Sequence, residues 1–126
     1  MGEMREILFR GKTVCDGDWV YGGITWNPSR KKFFIHTDWE EAKVIPETIG
    51  QYTGLTDKNG VKIFEGDIIH GNLGNFVVRW SDNISGFVAG EKERTHPCMN
   101  RGTMKCYEII GNIYDNPELT KEAEKI

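Results

Sequence analysis

The second half of the chain has the clearest pattern of hydrophobic and polar positions. Phe76, Val78 and Trp80 alternate with Val77 and Arg79. This pattern predicts a strand on which Phe76, Val78 and Trp80 face a core. Further short strands are predicted at residues 68–69, 85–89 and 107–113. Turn residues separate these segments at close spacing, which favours a small meander that curls into a barrel over roughly residues 63–114.

The first half is also predicted to be rich in β structure. Residues 7–9 form a short apolar strand, and Asp16-Gly17 is a strong hairpin-turn dipeptide because glycine adopts positive φ freely. The returning strand over residues 19–21 is expected to end at the glycine pair that follows it, Gly22-Gly23. Another strand is predicted at residues 32–36, after a turn at residues 27–29.

A single helical turn is predicted after that strand. Asp38 is a suitable N-cap for residues 37–41, and Glu41 then occupies the third helical position. Pro46 would end such a helix quickly, because the residue before a proline avoids the helical conformation. The chain is expected to cross to its second half between Val44 and Gly50.

The last residues predict a short helix. Asn116-Pro117 is a typical N-cap and first helical pair, and Leu119, Ala123 and Ile126 would then share one helical face. The predicted organisation is therefore a β-rich N-terminal subdomain over residues 1–50, a small β-barrel subdomain over residues 51–114, and a helical tail over residues 115–126. The predicted fold class is α+β, mainly β.

Composition limits the functional classes. The 126 residues suffice for one domain or two small subdomains, and the 15 glycines fit many tight turns. A net charge of −3 gives no general attraction to nucleic-acid backbones. Three irregularly spaced cysteines, a charged opening and the absence of an apolar run of ~18 residues predict a cytoplasmic protein without a disulfide framework or a membrane span.

Distinctive motifs lie in three parts of the chain: MREILFRGK and GDWVYG near the start, PETIGQYTGL, DKNG and IFEGDII in the middle, and IGNIYDNPEL near the end. Together they resemble the YopX family, small proteins encoded by temperate phages and prophages. The resemblance extends from Met4 to about Leu119. It implies a barrel of the Src-homology-3 type in the second half, with an α+β or β segment before it. It supplies no mechanism and no catalytic residues.

The cysteines and one histidine were considered as a metal site. His96, Cys98 and Cys106 lie close in sequence, and Cys15 could be a fourth ligand. Structural zinc sites, however, usually show two pairs of ligands, each pair two to four residues apart. Only His96 and Cys98 approach that spacing, so we expect no bound metal and small, partly buried thiols instead.

Candidate acid–base residues are few. Glu65 and Asp67 are two residues apart and would share one face of a strand, but Gly66 between them indicates a turn with solvated carboxylates. His36 and His70 each end an apolar strand, where exposure is the ordinary outcome. No nucleotide-binding or hydrolase fingerprint is present. We therefore expect no enzymatic activity, no catalytic residue and no cofactor.

Two binding classes remain open, and an enzyme of unknown type ranks third behind them. Single-stranded nucleic acid could stack on aromatic side chains beside cations; the candidates are Trp26, Phe33, Trp80 and Phe87 with Arg79, Arg94, Arg101 and Lys105. We rank nucleic-acid binding as the alternative for two reasons. The chain is acidic overall, and a small core needs bulky aromatic side chains such as these. The favoured class is a non-catalytic protein-interaction module, because small barrels have open edges that accept peptides or partner chains. The partner, a host or phage protein or a second copy, and its binding residues are not given by the sequence.

Overall fold

A computed structural model describes residues 5–90 and 97–120 of the chain. The chain divides into two compact units, Met1–Tyr52 and Thr53–Ile126, whereas the sequence placed a boundary between residues 50 and 51. The protein is mainly β, as predicted, with antiparallel strands in two sheets. The strands are β1 (Phe9–Lys12), β2 (Trp19–Asn27), β3 (Lys32–His36), β4 (Glu41–Lys43), β5 (Gly50–Thr56), β6 (Lys62–Phe64), β7 (Asp67–Gly71), β8 (Gly74–Ser81), β9 (Gly86–Ala89) and β10 (Glu108–Asn112).

The first unit is a meander in the order β4-β3-β2-β1, with the first residues of β5 beside β1. The predicted turn between β1 and β2 is present, and Gly17 has a φ of 78° there. An isolated bridge between Thr13 and Val44 brings the ends of β1 and β4 together. Ile35 and Val44 are almost fully buried in this unit, at 0% and 2% exposure.

Strand β2 does not end at the glycine pair, contrary to the prediction. It continues through Gly22-Gly23 to Asn27 and pairs with β3 over five residues. The reason lies at Gly22, where a Cβ atom would come within 1.8 Å of the carbonyl oxygen of His36. Glycine at this position therefore permits a close approach of two backbones rather than a turn.

The helical turn predicted at residues 37–41 is also absent. Thr37, Trp39 and Glu40 form a tight connection, and Glu41 begins strand β4, which pairs with β3. The Thr37 hydroxyl accepts hydrogen bonds from the amides of Trp39 and Glu40. A threonine-based turn therefore replaces the predicted aspartate cap.

The second unit contains the four-stranded sheet β10-β7-β8-β9, while β6 lies beside the remainder of β5. A short helix, α1 (Arg101–Met104), precedes β10, and its N-cap Asn100 accepts a hydrogen bond from the amide of Thr103 at 2.8 Å. Within the described residues the four-stranded sheet is open, with edges at β9 and β10. The predicted barrel of the Src-homology-3 type is not confirmed: no closed barrel forms among these residues, where β6 pairs with β5 and not with this sheet.

A cluster of buried side chains lies in the core of the second unit: Ile63, Ile69, Phe76, Val78, Ala89, Met104 and Tyr107. Phe76 and Val78 face this core, as their alternation predicted. Trp80 does not, since 44% of it is exposed. Its ring packs edge-on against Phe87 of β9 at 5.2 Å, and its indole nitrogen donates to Asp82. The alternation of apolar residues in the sequence thus extends to Trp80, whereas the buried core on this face of β8 ends at Val78.

The C-terminal tail is described only in part. Residues 118–120 are helical, and the amide of Leu119 donates to the carbonyl of Asn116 at 3.0 Å, in agreement with the predicted start. Ala123 and Ile126, the other two residues of the predicted apolar face, lie outside the described residues. In the described part of the chain, no helix has the length and apolar character needed to cross a bilayer.

Candidate interaction surface

Trp39 is the most exposed large hydrophobic side chain of the described residues. It lies in the connection between β3 and β4, and 92% of its surface is accessible to solvent. An aromatic ring of this size is normally covered, because leaving it in water forfeits several kcal/mol of burial. Trp39 is therefore the first candidate for contact with another molecule.

The backbone that carries Trp39 is held by its own hydrogen bonds. The Thr37 hydroxyl oxygen accepts from the amide of Trp39 at 3.2 Å and from the amide of Glu40 at 3.0 Å. The Thr37 amide in turn donates to the Glu40 carbonyl at 2.8 Å. The turn is thus closed from both sides, and the tryptophan is presented on an ordered loop rather than on a free one.

A shallow groove of about 350 Å³ begins at Glu40, the residue that follows Trp39. One wall is the turn between β1 and β2, and the other is Glu40 with the whole of β4. Val14 is half exposed in the first wall, and Cys15 beside it is exposed. The lining residues are Thr13, Val14, Cys15, Asp16, Glu40, Glu41, Ala42 and Lys43.

The groove is acidic. Asp16, Glu40 and Glu41 line it against a single basic residue, Lys43. The pKa of Asp16 is lowered from its ordinary value because the Thr13 hydroxyl, and then the backbone amide of Asp18, donate hydrogen bonds to its carboxylate. Asp16 is therefore ionised at neutral pH. Asp38 is exposed next to Trp39 and extends the negative surface to the tip.

One edge of strand β4 faces the same groove. The amide of Val44 donates to Phe33 of β3 at 3.1 Å, while the carbonyl of Lys43 accepts from Val14 on the opposite side at 3.0 Å. Peptide groups alternate in direction along a strand, so those of Glu41 and Lys43 both point away from β3. The backbone of Glu41 is consequently directed towards the groove.

The three cysteines that are candidates for a metal site belong to different units of the chain. Cys15 lies in the first unit, Cys98 and Cys106 lie in the second, and all three are exposed rather than partly buried as expected. His96 falls outside the described residues. Residues 5–90 and 97–120 contain no group of three His, Cys, Asp or Glu side chains placed to hold a metal ion. The expectation of no bound metal stays a prediction.

The carboxylate pair was predicted correctly in one respect and wrongly in another. Gly66 has a φ of 91°, so a turn does separate Glu65 from Asp67. Asp67, however, is only 2% exposed, and its Oδ2 atom accepts a hydrogen bond from the amide of Phe64 at 2.7 Å. It is therefore a buried carboxylate that stabilises the turn between β6 and β7, and not a solvated one.

Both candidate histidines are exposed, as predicted. The Nε2 atom of His36 lies 3.4 Å from a carboxylate oxygen of Glu41, its partner on the neighbouring strand. The Nδ1 atom of His70 lies 2.6 Å from the side-chain oxygen of Asn75 across β7 and β8. Each histidine therefore has an ordinary cross-strand neighbour.

The proposed stacking residues form two separate pairs. Trp26 packs on Phe33 with ring centroids 4.9 Å apart in the first unit, and Trp80 packs on Phe87 in the second. Among the associated cations, Arg79 donates from Nε to the Gly90 carbonyl at 2.5 Å. Arg101 and Lys105 are exposed, and Arg94 lies outside the described residues.

Two basic side chains lie over the ring of a different aromatic residue, Trp19. The Arg10 guanidinium lies 4.6 Å from the centroid of Trp19, and the Lys12 ammonium lies 5.5 Å from it. These side chains meet because β1 pairs with β2 so that Lys12 is directly opposite Trp19. The sequence prediction missed this cluster, although the spacing of Arg10 and Lys12 on one strand was a usable signal.

Trp39 was also missed. Its neighbours suggested a capped helix, and a tryptophan in a helix of a small protein is ordinarily assigned to the core. The signal that could have found it is Thr37, whose hydroxyl can close a short turn by accepting from the amides two and three residues later.

Comparison with known proteins identifies relatives by sequence and by fold. The model of one family, described as YopX protein, matches residues 11–121. The crystal structure of protein EF1440 from Enterococcus faecalis is similar to this chain with a TM-score of 0.64 and 22% sequence identity. The similarity covers 92% of this chain and 99% of that one, and at this identity it shows the fold alone. No curated protein matches the sequence.

Proposed function

The chain belongs to the YopX family, and we propose that it is a non-catalytic protein-interaction module that contacts its partner through Trp39. The single observation that carries the proposal is the 92% exposure of this tryptophan on a turn closed by Thr37. The partner we propose is a host or phage protein, in keeping with the phage and prophage setting that the family resemblance implies.

The energetics of such a contact favour Trp39 as its centre. Covering a tryptophan removes about 200 Å² from water, which is worth about 5 kcal/mol at about 25 cal/mol per Å² before the costs of association. Because the turn is already ordered, little backbone entropy is lost when a partner covers the ring. Tryptophan is among the residues that most often dominate measured binding energies at protein interfaces.

A single-stranded nucleic-acid module is the alternative, and the half-buried Lys12 over the Trp19 ring is the observation that favours it, since Arg10 beside them is buried. Phosphate contacts would make binding fall steeply with salt. We expect no micromolar binding to DNA or RNA at near-physiological salt, because 16 basic residues are set against 19 acidic ones. Titration of labelled oligonucleotides at low and moderate salt tests this. Tight, salt-sensitive binding that Lys12→Gln weakens would favour the alternative.

Site-specific photo-crosslinking in cells tests the main proposal. A photoreactive amino acid at Asp38 lies beside Trp39, and the same amino acid at Glu118 is a control at an exposed position of the second unit. We expect a discrete protein adduct from position 38 that is absent from position 118. Equal and diffuse labelling from both positions would contradict the proposal.

A further inference from the structure

Resting on the proposed function, we infer that the partner supplies an extended, positively charged segment that adds as a short strand to the edge of β4 at Glu41. The segment would lie in the groove between β4 and the turn at residues 13–16. Trp39, next to the groove residue Glu40, would cover one end of it. The occupant is thus a basic segment of another protein, recognised by backbone pairing and by charge.

The backbone of β4 supplies the pairing. Since the peptide groups of Ala42 and Val44 are directed to β3, those of Glu41 are directed to the groove. The amide and carbonyl of one residue can exchange two hydrogen bonds with a residue of an antiparallel partner strand. The carbonyl of Lys43 already accepts from Val14, so the available edge is short. Backbone pairing alone would therefore bind weakly.

Charge supplies the selection. The groove carries Asp16, Glu40 and Glu41 against Lys43, and the hydrogen bonds to Asp16 lower its pKa further below neutral pH. Lysine or arginine side chains on an added strand would meet these carboxylates. A second copy of this chain is disfavoured as the occupant, because it has a net charge of −3 and the same acidic surface. Strand addition of a basic segment combines both features.

Three synthetic peptides separate the contributions. The first alternates lysine and valine, the second replaces each lysine with glutamate, and the third keeps the lysines but has methylated backbone nitrogens at alternate residues. Each is titrated into the isotope-labelled full chain while the amide signals are followed by NMR. We expect the first peptide to shift the amides of Glu41, Lys43 and Val14, and the other two to bind at least about tenfold more weakly.

Two variants test whether the carboxylates of the groove account for the binding of the lysine peptide. The double substitution Glu40→Gln and Glu41→Gln should weaken binding of the lysine peptide by about tenfold. Glu118→Gln removes an exposed carboxylate in the second unit and should leave that binding unchanged. An equal loss in both variants would show nonspecific attraction and would overturn the inference.

The outcomes distinguish this inference from the proposed function. If the methylated peptide binds as well as its parent, or if no groove amide responds to the lysine peptide, strand addition at β4 is wrong. The function of Trp39 is judged separately by the cross-linking at position 38, which does not depend on peptide charge or backbone pairing.

Discussion

The Oδ2 atom of Asp57 accepts a hydrogen bond from the backbone amide of Ile109, 52 residues later in the chain, at 3.0 Å. Its Oδ1 atom accepts from the amides of Asn59 and Val61 at 2.8 and 3.0 Å. One buried carboxylate thus closes the turn between β5 and β6 and fastens it to β10. The backbone of Lys58 strengthens the same attachment by donating to Tyr107 at 2.9 Å.

Removing this carboxylate should destabilise the second unit. Asp57→Ala leaves three backbone amides without their acceptor, and we expect a loss of about 3 kcal/mol in the free energy of unfolding. Asp38→Ala, which removes an exposed carboxylate, should leave it within about 0.5 kcal/mol. Urea unfolding of both variants measures the difference. Equal midpoints for Asp57→Ala and the parent protein would refute the assigned role of the carboxylate.

The two adjacent glycines of β2 should respond differently to alanine. A Cβ atom at Gly22 would lie 1.8 Å from the oxygen and 2.7 Å from the carbon of the His36 carbonyl, so two strands would have to move apart. A Cβ atom at Gly23 would meet nothing within 4 Å. We expect Gly22→Ala to cost about 3 kcal/mol or more and Gly23→Ala to be nearly neutral. Thermal melting of the pair is the check, and similar melting temperatures would be incompatible with this packing.

The phenol of Tyr107 should titrate at unusually high pH. Burial of its ring disfavours the phenolate and raises its pKa above the ordinary value of 10.0, although a hydrogen bond with the Leu73 backbone opposes the shift. Because the pKa is raised in the folded state, the stability contributed by the neutral phenol is present below pH 10 and is lost as pH rises through the folded-state pKa.

Alkaline titration followed by tyrosinate absorbance tests this assignment. One tyrosine of the native protein should ionise later than the others, and that late step should disappear in Tyr107→Phe. A late step that persists in the variant would assign the raised pKa to a different tyrosine.

Phe76 and Trp80 are four residues apart on strand β8. Their side chains should nevertheless contribute differently to the free energy of unfolding. Phe76 is 7% exposed and lies in the core cluster, so Phe76→Ala should cost about 3–5 kcal/mol. Trp80 is 44% exposed and has its main ring contact with Phe87, so Trp80→Ala should cost only about 1 kcal/mol. Chemical denaturation compares them, and an equal cost would place Trp80 in the core after all.

Local patterns predicted β3, β8, β9 and several turns correctly, because those features depend on neighbouring residues. They were wrong for β4, which was predicted as a helical turn, and for the end of β2. The bounds of β3 coincide with the predicted residues 32–36, and Gly17 occupies the predicted turn with a φ of 78°. Gly22 was misjudged because its requirement comes from His36 on another strand. Trp80 was misjudged because alternation gives the face of a side chain but not the point where the core ends.

The candidate site depended even more on non-local structure. Nothing around Trp39 in the sequence shows that β4 follows it, since a three-residue strand forms only by pairing with β3. The groove needs residues 13–16 and 40–43 to meet, and the Thr13–Val44 bridge that joins them spans more than half of the first unit. The acidic residues were visible in the sequence, but their shared surface was not.

Affinity capture with matched tryptophan variants tests the central claim most directly. Wild-type protein, Trp39→Ala and Trp26→Ala are immobilised and exposed to lysate from bacteria that carry a prophage encoding a YopX protein, and retained proteins are quantified by mass spectrometry. Trp26 is the control because it is 48% exposed but packs on Phe33. We expect Trp39→Ala to keep the wild-type melting temperature and to lose the retained protein at least about tenfold, while Trp26→Ala retains it. The same protein held equally by wild type and Trp39→Ala would contradict the account.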